Sequence, residues 1–189
     1  LPAGARDDLG RVLRDAEHAG HGGVLGGERR LVVVRGDQHV GVGHLGKNHA
    51  KFLSKITNST LVGVIDTNQA MAQEIANLCQ TKPYTKYKKI LKEIDAVSIA
   101  TPTEFHYKIA KETLARGIHT FIEKPITTTL VQANKLLALA EKSGVVLQIG
   151  HIERFNPAIP ATGNARRSDR RCSVRVWSRG PSPRSTATA

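Results

Sequence analysis

Gly41-Val42-Gly43-His44-Leu45-Gly46 is the stretch whose reading decides the fold. It fits G-x-G-x-x-G, a spacing that means little alone. Its surroundings give it meaning. A helical pattern follows from about Leu45 to Lys55, and Asp66 stands 20 residues beyond Gly46, closing the apolar run Thr60 to Ile65. A glycine turn, a helix and an acid at the end of the next strand together make a dinucleotide-binding fingerprint. Gly41 permits the tight turn, Gly43 lets the backbone approach a pyrophosphate, and Gly46 lets helix and strand pack closely. His44 and Leu45 lie within the loop, where free N–H groups and the positive end of the helix dipole face the phosphates. Asp66 is expected to accept hydrogen bonds from the adenosine ribose. A carboxylate there repels a 2′-phosphate, and no Arg follows it at Thr67 or Asn68. The expected cofactor is therefore NAD rather than NADP.

Working outward, the periodicity predicts helices over about 68–78, 87–93, 104–116 and 129–142. Asn68 and Thr103 are expected N-caps, and Gly117 and Gly144 expected stops. Met71, Ile75 and Leu78 are expected on one helical face, and Leu130, Ala133, Leu137 and Ala140 on another. Short apolar runs predict strands at 60–65, 96–100, 120–122 and 145–149. Strands alternating with helices imply an α/β fold, a doubly wound parallel sheet of the Rossmann type. One strand is awkward. It should end at Val40–Gly41, yet Asp37-Gln38-His39 come just before, and the apolar Leu31 to Val34 sit too far upstream to serve. A shortened first strand is expected.

The chain has 189 residues and a net charge of +12, unevenly placed. Residues 1–38 hold six Arg and six acids, residues 39–159 carry +6 with all 13 Lys, and residues 160–189 carry +6 from seven Arg against one Asp. Three segments follow: an atypical Gly/Arg-rich flank at 1–38, a dinucleotide-binding domain at 39–159, and an Arg/Ser-rich tail at 160–189. Such flanks have little apolar surface with which to offset the entropy of ordering, so disorder is expected there. They are either functional basic arms or sequence foreign to the domain. The Lys/Arg partition and the lack of an initiator Met favour the second. The basic tail could hold phosphate backbones without sequence preference. With eight aromatic residues and no nucleic-acid motif, a specific nucleic-acid partner is not expected. No apolar run approaches the ~20 residues of a membrane span. There is no signal-peptide pattern. Cys79 and Cys172 make neither a disulfide framework nor a metal cluster. A cytoplasmic setting is the expectation.

Three further stretches are Ala100-Thr101-Pro102-Thr103-Glu104-Phe105-His106, Phe121-Ile122-Glu123-Lys124-Pro125-Ile126 and Gly150-His151-Ile152-Glu153-Arg154-Phe155-Asn156-Pro157. With the glycine fingerprint, they resemble the glucose–fructose oxidoreductase/inositol dehydrogenase/MocA (Gfo/Idh/MocA) family over residues 39–159. The resemblance implies an NAD(P)-dependent oxidoreductase that oxidises a sugar or nucleotide-sugar hydroxyl to a ketone. It implies that Thr101, Pro102, His106 and Glu123 border the cofactor. Pro125, often cis in the family, would shape the turn. Lys124 would assist proton transfer at the substrate hydroxyl, since burial beside other groups can bring a lysine into range for that step. Arg154 and Asn156 would lie where the cofactor domain meets a substrate domain. The stretch around His151 is similar to members acting on nucleotide sugars, such as UDP-N-acetylglucosamine 3-dehydrogenases. In the family a second α/β domain follows the position of Pro157, with a substrate-side Asp or His and commonly the oligomer interface. Only Arg-rich sequence follows here, with Asp169 as its one acid and no His. A chain lacking the substrate domain and catalytically incomplete is therefore expected. The alternative is a dinucleotide-binding module without catalysis.

Overall fold

The structure, a computed structural model, describes residues 29–35, 43–57 and 59–151. In chain order these form β1 (Arg29–Arg35), α1 (Gly43–Leu53), β2 (Ser59–Ile65), α2 (Gln69–Leu78), β3 (Lys82–Tyr84) and a 3-10 turn (Tyr87–Lys89). There follow β4 (Ala96–Ala100), α3 (Thr103–Ala115), β5 (His119–Glu123), α4 (Leu130–Ser143) and β6 (Leu147–Gly150). The six strands make one sheet in the order β3-β2-β1-β4-β5-β6, and every pairing is parallel. That is the doubly wound order expected of a Rossmann sheet, and it reverses direction between β1 and β4.

The first strand differs from the sequence reading. The expected end at Val40–Gly41 lies outside the described residues, and the run Leu31 to Val34, judged too far upstream, is β1 itself. The physical reason is the slot it fills. Val33 pairs with Val64 on one side and with Ser98 on the other. Leu31 and Val33 face a cluster with Ala50, Leu53, Ile75 and Phe121, whereas Val32 faces one with Ile99, Leu114, Ile122 and Leu136. Alternate side chains thus enter two different cores, as a strand covered on both faces requires. A continuous apolar run suits that position and Asp37-Gln38-His39 does not. The sheet consequently takes its central strand from before residue 39.

β3 was assigned no strand by the sequence. It is three residues long, contains Pro83 and pairs only with β2, and a sheet edge tolerates proline for lack of a partner on one side. Gly63 in β2 accommodates it, because a Cβ there would stand 2.5 Å from the Tyr84 ring.

Local chemistry explains the helix ends. The Asn68 side chain accepts the N–H groups of Ala70 and Met71 at 3.0 and 3.2 Å. Thr129 Oγ1 accepts that of Gln132 at 3.3 Å, and Gly144 closes α4 in the left-handed region at φ 64°. Thr103, by contrast, is the first residue of α3, and Pro102 occupies the cap without a side-chain bond. Two apolar stripes are displaced from expectation. In α2 the buried residues are Ala72, Ile75 and Ala76, and Leu78 is exposed. In α4 they are Ala133, Leu136 and Ala140, and Leu130 is 82% exposed. Extended backward at 3.6 residues per turn, the α4 stripe reaches Thr129, the cap, and so passes Leu130 by.

The 3-10 turn and α3 are joined by a hydrogen bond from the Tyr87 hydroxyl to Glu112 Oε2, at 2.8 Å. Burial, and then this bond to a carboxylate, push the Tyr87 pKa up to about 12. In the unfolded chain the phenol loses its proton near 10. The stabilisation is therefore fully present below that value and is lost as pH rises toward about 12. A spectrophotometric titration should show one tyrosine ionising late, and Glu112→Gln should move its midpoint down. Three simultaneous ionisations in the folded protein would contradict this.

Candidate dinucleotide site

In an open parallel sheet, ligands bind beyond the carboxyl ends of the strands, where the strand order reverses. The sequence-singled residues gather there. α1 begins at Gly43, so Gly43, His44 and Leu45 form its first turn, a little earlier than expected, and Gly46 is buried behind them. No acidic residue lies in that turn to compete with an anion for its free N–H groups. Gly41 lies outside the described residues, as do Arg154 and Asn156.

Asp66 follows β2 directly and is fully buried. Its backbone N–H donates to the Tyr84 carbonyl at 3.0 Å, and its Oδ1 accepts the Asn68 N–H at 2.9 Å. The carboxylate is thus held at the end of β2, the strand next to β1. Thr101 follows β4, 5% exposed, with Pro102 leading into α3. Glu123 ends β5 and is buried, and Lys124 and Pro125 form the turn beyond it through a cis peptide bond. Lys124 is exposed, where the sequence reading expected a partly buried amine.

His106 is 1% exposed, and its ring is fully occupied. Nδ1 lies 2.8 Å from the Pro125 carbonyl and Nε2 lies 2.8 Å from that of Thr101. Both contacts are hydrogen bonds only when each nitrogen carries a proton. The ring therefore ties the loop after β4 to the turn after β5, and no ring nitrogen is left over for a cofactor.

Two residues of this region were not singled out from the sequence. His49, on α1, is buried with Nδ1 2.9 Å from the Ser98 hydroxyl and Nε2 3.0 Å from Glu123 Oε1. The second contact is close but lies off hydrogen-bond alignment. Two signals were available: His49 stands one turn beyond Gly46 on its helix, and Ser98 is a polar residue in the middle of an apolar strand. Among the described residues, no group of three His, Cys, Asp or Glu could hold a metal ion. No helix among them is long and apolar enough to cross a membrane.

A helix opening on glycine with no acid in its first turn, set beside a buried acid at the next strand end, fits a dinucleotide. Residues 39–151 match the model of an oxidoreductase family with an NAD-binding Rossmann fold. The chain belongs to this Gfo/Idh/MocA family. The match begins after β1, so the central strand lies outside the matched stretch. A UDP-N-acetylglucosamine 3-dehydrogenase of Acidithiobacillus ferrooxidans is 42% identical over 120 residues, covering 64% of this chain and 38% of that protein. The solved structure of the enzyme GnnA from the same organism superposes with a TM-score of 0.63 at 38% identity, covering 73% of this chain and 43% of the other. The chain is also similar to the WlbA dehydrogenase of Bordetella pertussis, solved with NADH and UDP-GlcNAcA. That structure has a TM-score of 0.56 at 26% identity and covers 65% of this chain and 37% of its own. The chain thus spans about two-fifths of the length of these relatives.

Proposed function

We propose that this chain binds NAD at the α1–β2 strand ends and serves the oxidation of a sugar or nucleotide-sugar hydroxyl to a ketone. The observation that carries the reading is the strand order, which sets Asp66 at the end of β2 next to β1 and the start of α1. Gly41, Gly43 and Gly46, with the backbone of His44 and Leu45, would receive the pyrophosphate, and Asp66 would take the adenosine ribose. Thr101, Pro102, Glu123 and Pro125 would border the nicotinamide half. His106 supports that half from behind by holding two of its loops. NAD, when bound, supplies the acceptor for hydride. Lys124, exposed at the mouth of the turn, would exchange the hydroxyl proton, and Arg154 and Asn156 would face the substrate. Similarity to a UDP-N-acetylglucosamine 3-dehydrogenase favours a nucleotide-sugar substrate.

Calorimetric titration tests the binding step. NAD should bind the folded chain more tightly than NADP. Asp66→Asn, which keeps the side chain's shape, should weaken NAD about tenfold, the size expected for losing hydrogen bonds to a charged acceptor. Failure to bind NAD, or a preference for NADP, would overturn the reading. An assay with UDP-N-acetylglucosamine then separates an active oxidoreductase from a dinucleotide-binding module without turnover.

A further inference from the structure

We infer that His49 is a positioning residue: with Ser98 and Glu123 it forms a buried polar chain that locks the Glu123-Lys124-Pro125 turn to helix α1. The three residues come from three elements and are 4%, 3% and 4% exposed. The His49 ring is held on three sides. Ser98 Oγ lies 2.9 Å from Nδ1 and Glu123 Oε1 lies 3.0 Å from Nε2. The Phe121 ring meets it edge-on, with centroids 5.5 Å apart and planes at 79°. With its proton on Nε2, one neutral imidazole can donate toward Glu123 and accept from the Ser98 hydroxyl.

A buried carboxylate and imidazole are poor ways to stabilise a core. Desolvation offsets most of their attraction, and well-packed apolar residues of similar volume often do as well or better. What such a group can supply is a definite position. The other Glu123 oxygen accepts the backbone N–H of Lys124 at 3.2 Å, so the carboxylate holds the residue that follows it. The space it occupies depends on Gly150. A Cβ there would stand 2.9 Å from the carboxylate carbon and from both oxygens. The chain of contacts therefore runs from the helix whose first turn faces the phosphate site to the turn carrying Lys124. His106 holds the same turn from its other side, through the Pro125 carbonyl.

The consequence for the cofactor rests on the NAD-binding reading above, whereas the lock itself does not. Two measurements on the full chain keep them separate. The first is hydrogen exchange of the Lys124 amide by NMR, referred to the amides of Ile122 and Leu136. His49→Leu should speed Lys124 exchange about tenfold or more relative to those two, the scale of one lost close polar contact to a buried carboxylate. His49→Gln, whose amide can donate to the carboxylate, should restore it. The second is affinity for NAD against ADP-ribose, which lacks the nicotinamide. His49→Leu should weaken NAD about tenfold and leave ADP-ribose nearly unchanged, again with rescue by Gln. If His49→Leu does not fold, Ser98→Ala should give the same pattern at smaller size. Parallel changes at Lys124, Ile122 and Leu136, or no rescue by Gln, would reduce His49 to a general stabiliser and overturn the inference. If the wild-type chain binds neither ligand, the cofactor reading fails, and Lys124 exchange alone decides the lock.

Discussion

Val33→Asp should abolish the cooperative thermal transition of this domain. Val33 is fully buried in the third of six strands, hydrogen-bonded on both sides and packed beneath α1 and α2. An unpaired carboxylate placed there would cost several kcal/mol, either as a buried charge or as the neutral acid without partners. Domains of this size have a net stability of only about 5–15 kcal/mol. The loss goes further than one side chain, because among the described strands β1 is the one hydrogen-bonded to both β2 and β4. A circular-dichroism melt checks the outcome. The alternative, in which the central strand ends at Val40–Gly41, predicts that Val33→Asp is silent. An unchanged melting temperature would therefore displace β1 from Arg29–Arg35.

His106→Leu should be the second most damaging single change, for a different reason. Leucine replaces most of the ring volume, so little cavity forms. What is lost is a ring whose nitrogens lie 2.8 Å from the carbonyls of Thr101 and Pro125, and a neutral imidazole donates to one of the two. A buried acceptor left without its partner costs about 1–3 kcal/mol, which is the loss expected here. That corresponds to a fall of about 5 °C or more in melting temperature for a domain of this length. Chemical denaturation with the slope unchanged and the midpoint lowered would support it. A loss below about 1 kcal/mol would mean that water or a shifted backbone satisfies both carbonyls.

Much of the architecture was legible because it is written locally. The glycine spacing, Asp66 at the end of an apolar run, and the Asn68 cap depend on neighbours within a few residues. So does Gly144 at a helix end. The Asn68 cap and the Gly144 stop matched, Thr103 proved to be the first helical residue rather than the cap, and alternating strands and helices were enough to imply the parallel sheet. The two misplaced helix stripes share one cause. Leu130 and Leu78 were placed in buried stripes by type and approximate spacing, but one residue of drift around a helix moves a side chain off the core. Lys82–Tyr84 carries no periodic signal, and becomes a strand only because Gly63 and the β2 edge receive it. The candidate site divides in the same way. Its glycines, Asp66 and the Glu123-Lys124-Pro125 turn could be read from motifs. His49 could not, since its partners are Ser98 and Glu123, 49 and 74 residues away in sequence.

By itself the sequence determined the fold class, the dinucleotide fingerprint and membership of an oxidoreductase family. These rest on periodicity, turn chemistry and motif spacing, which are properties of short stretches. Only the tertiary structure decided which apolar run is the central strand. It also showed that His106 spends both nitrogens on backbone carbonyls and that His49 meets Glu123. Those outcomes turn on which surfaces remain uncovered once the other strands are paired, and on which buried polar atoms then lie within reach of one another. Both are relations between distant segments that come into existence only when the sheet is assembled.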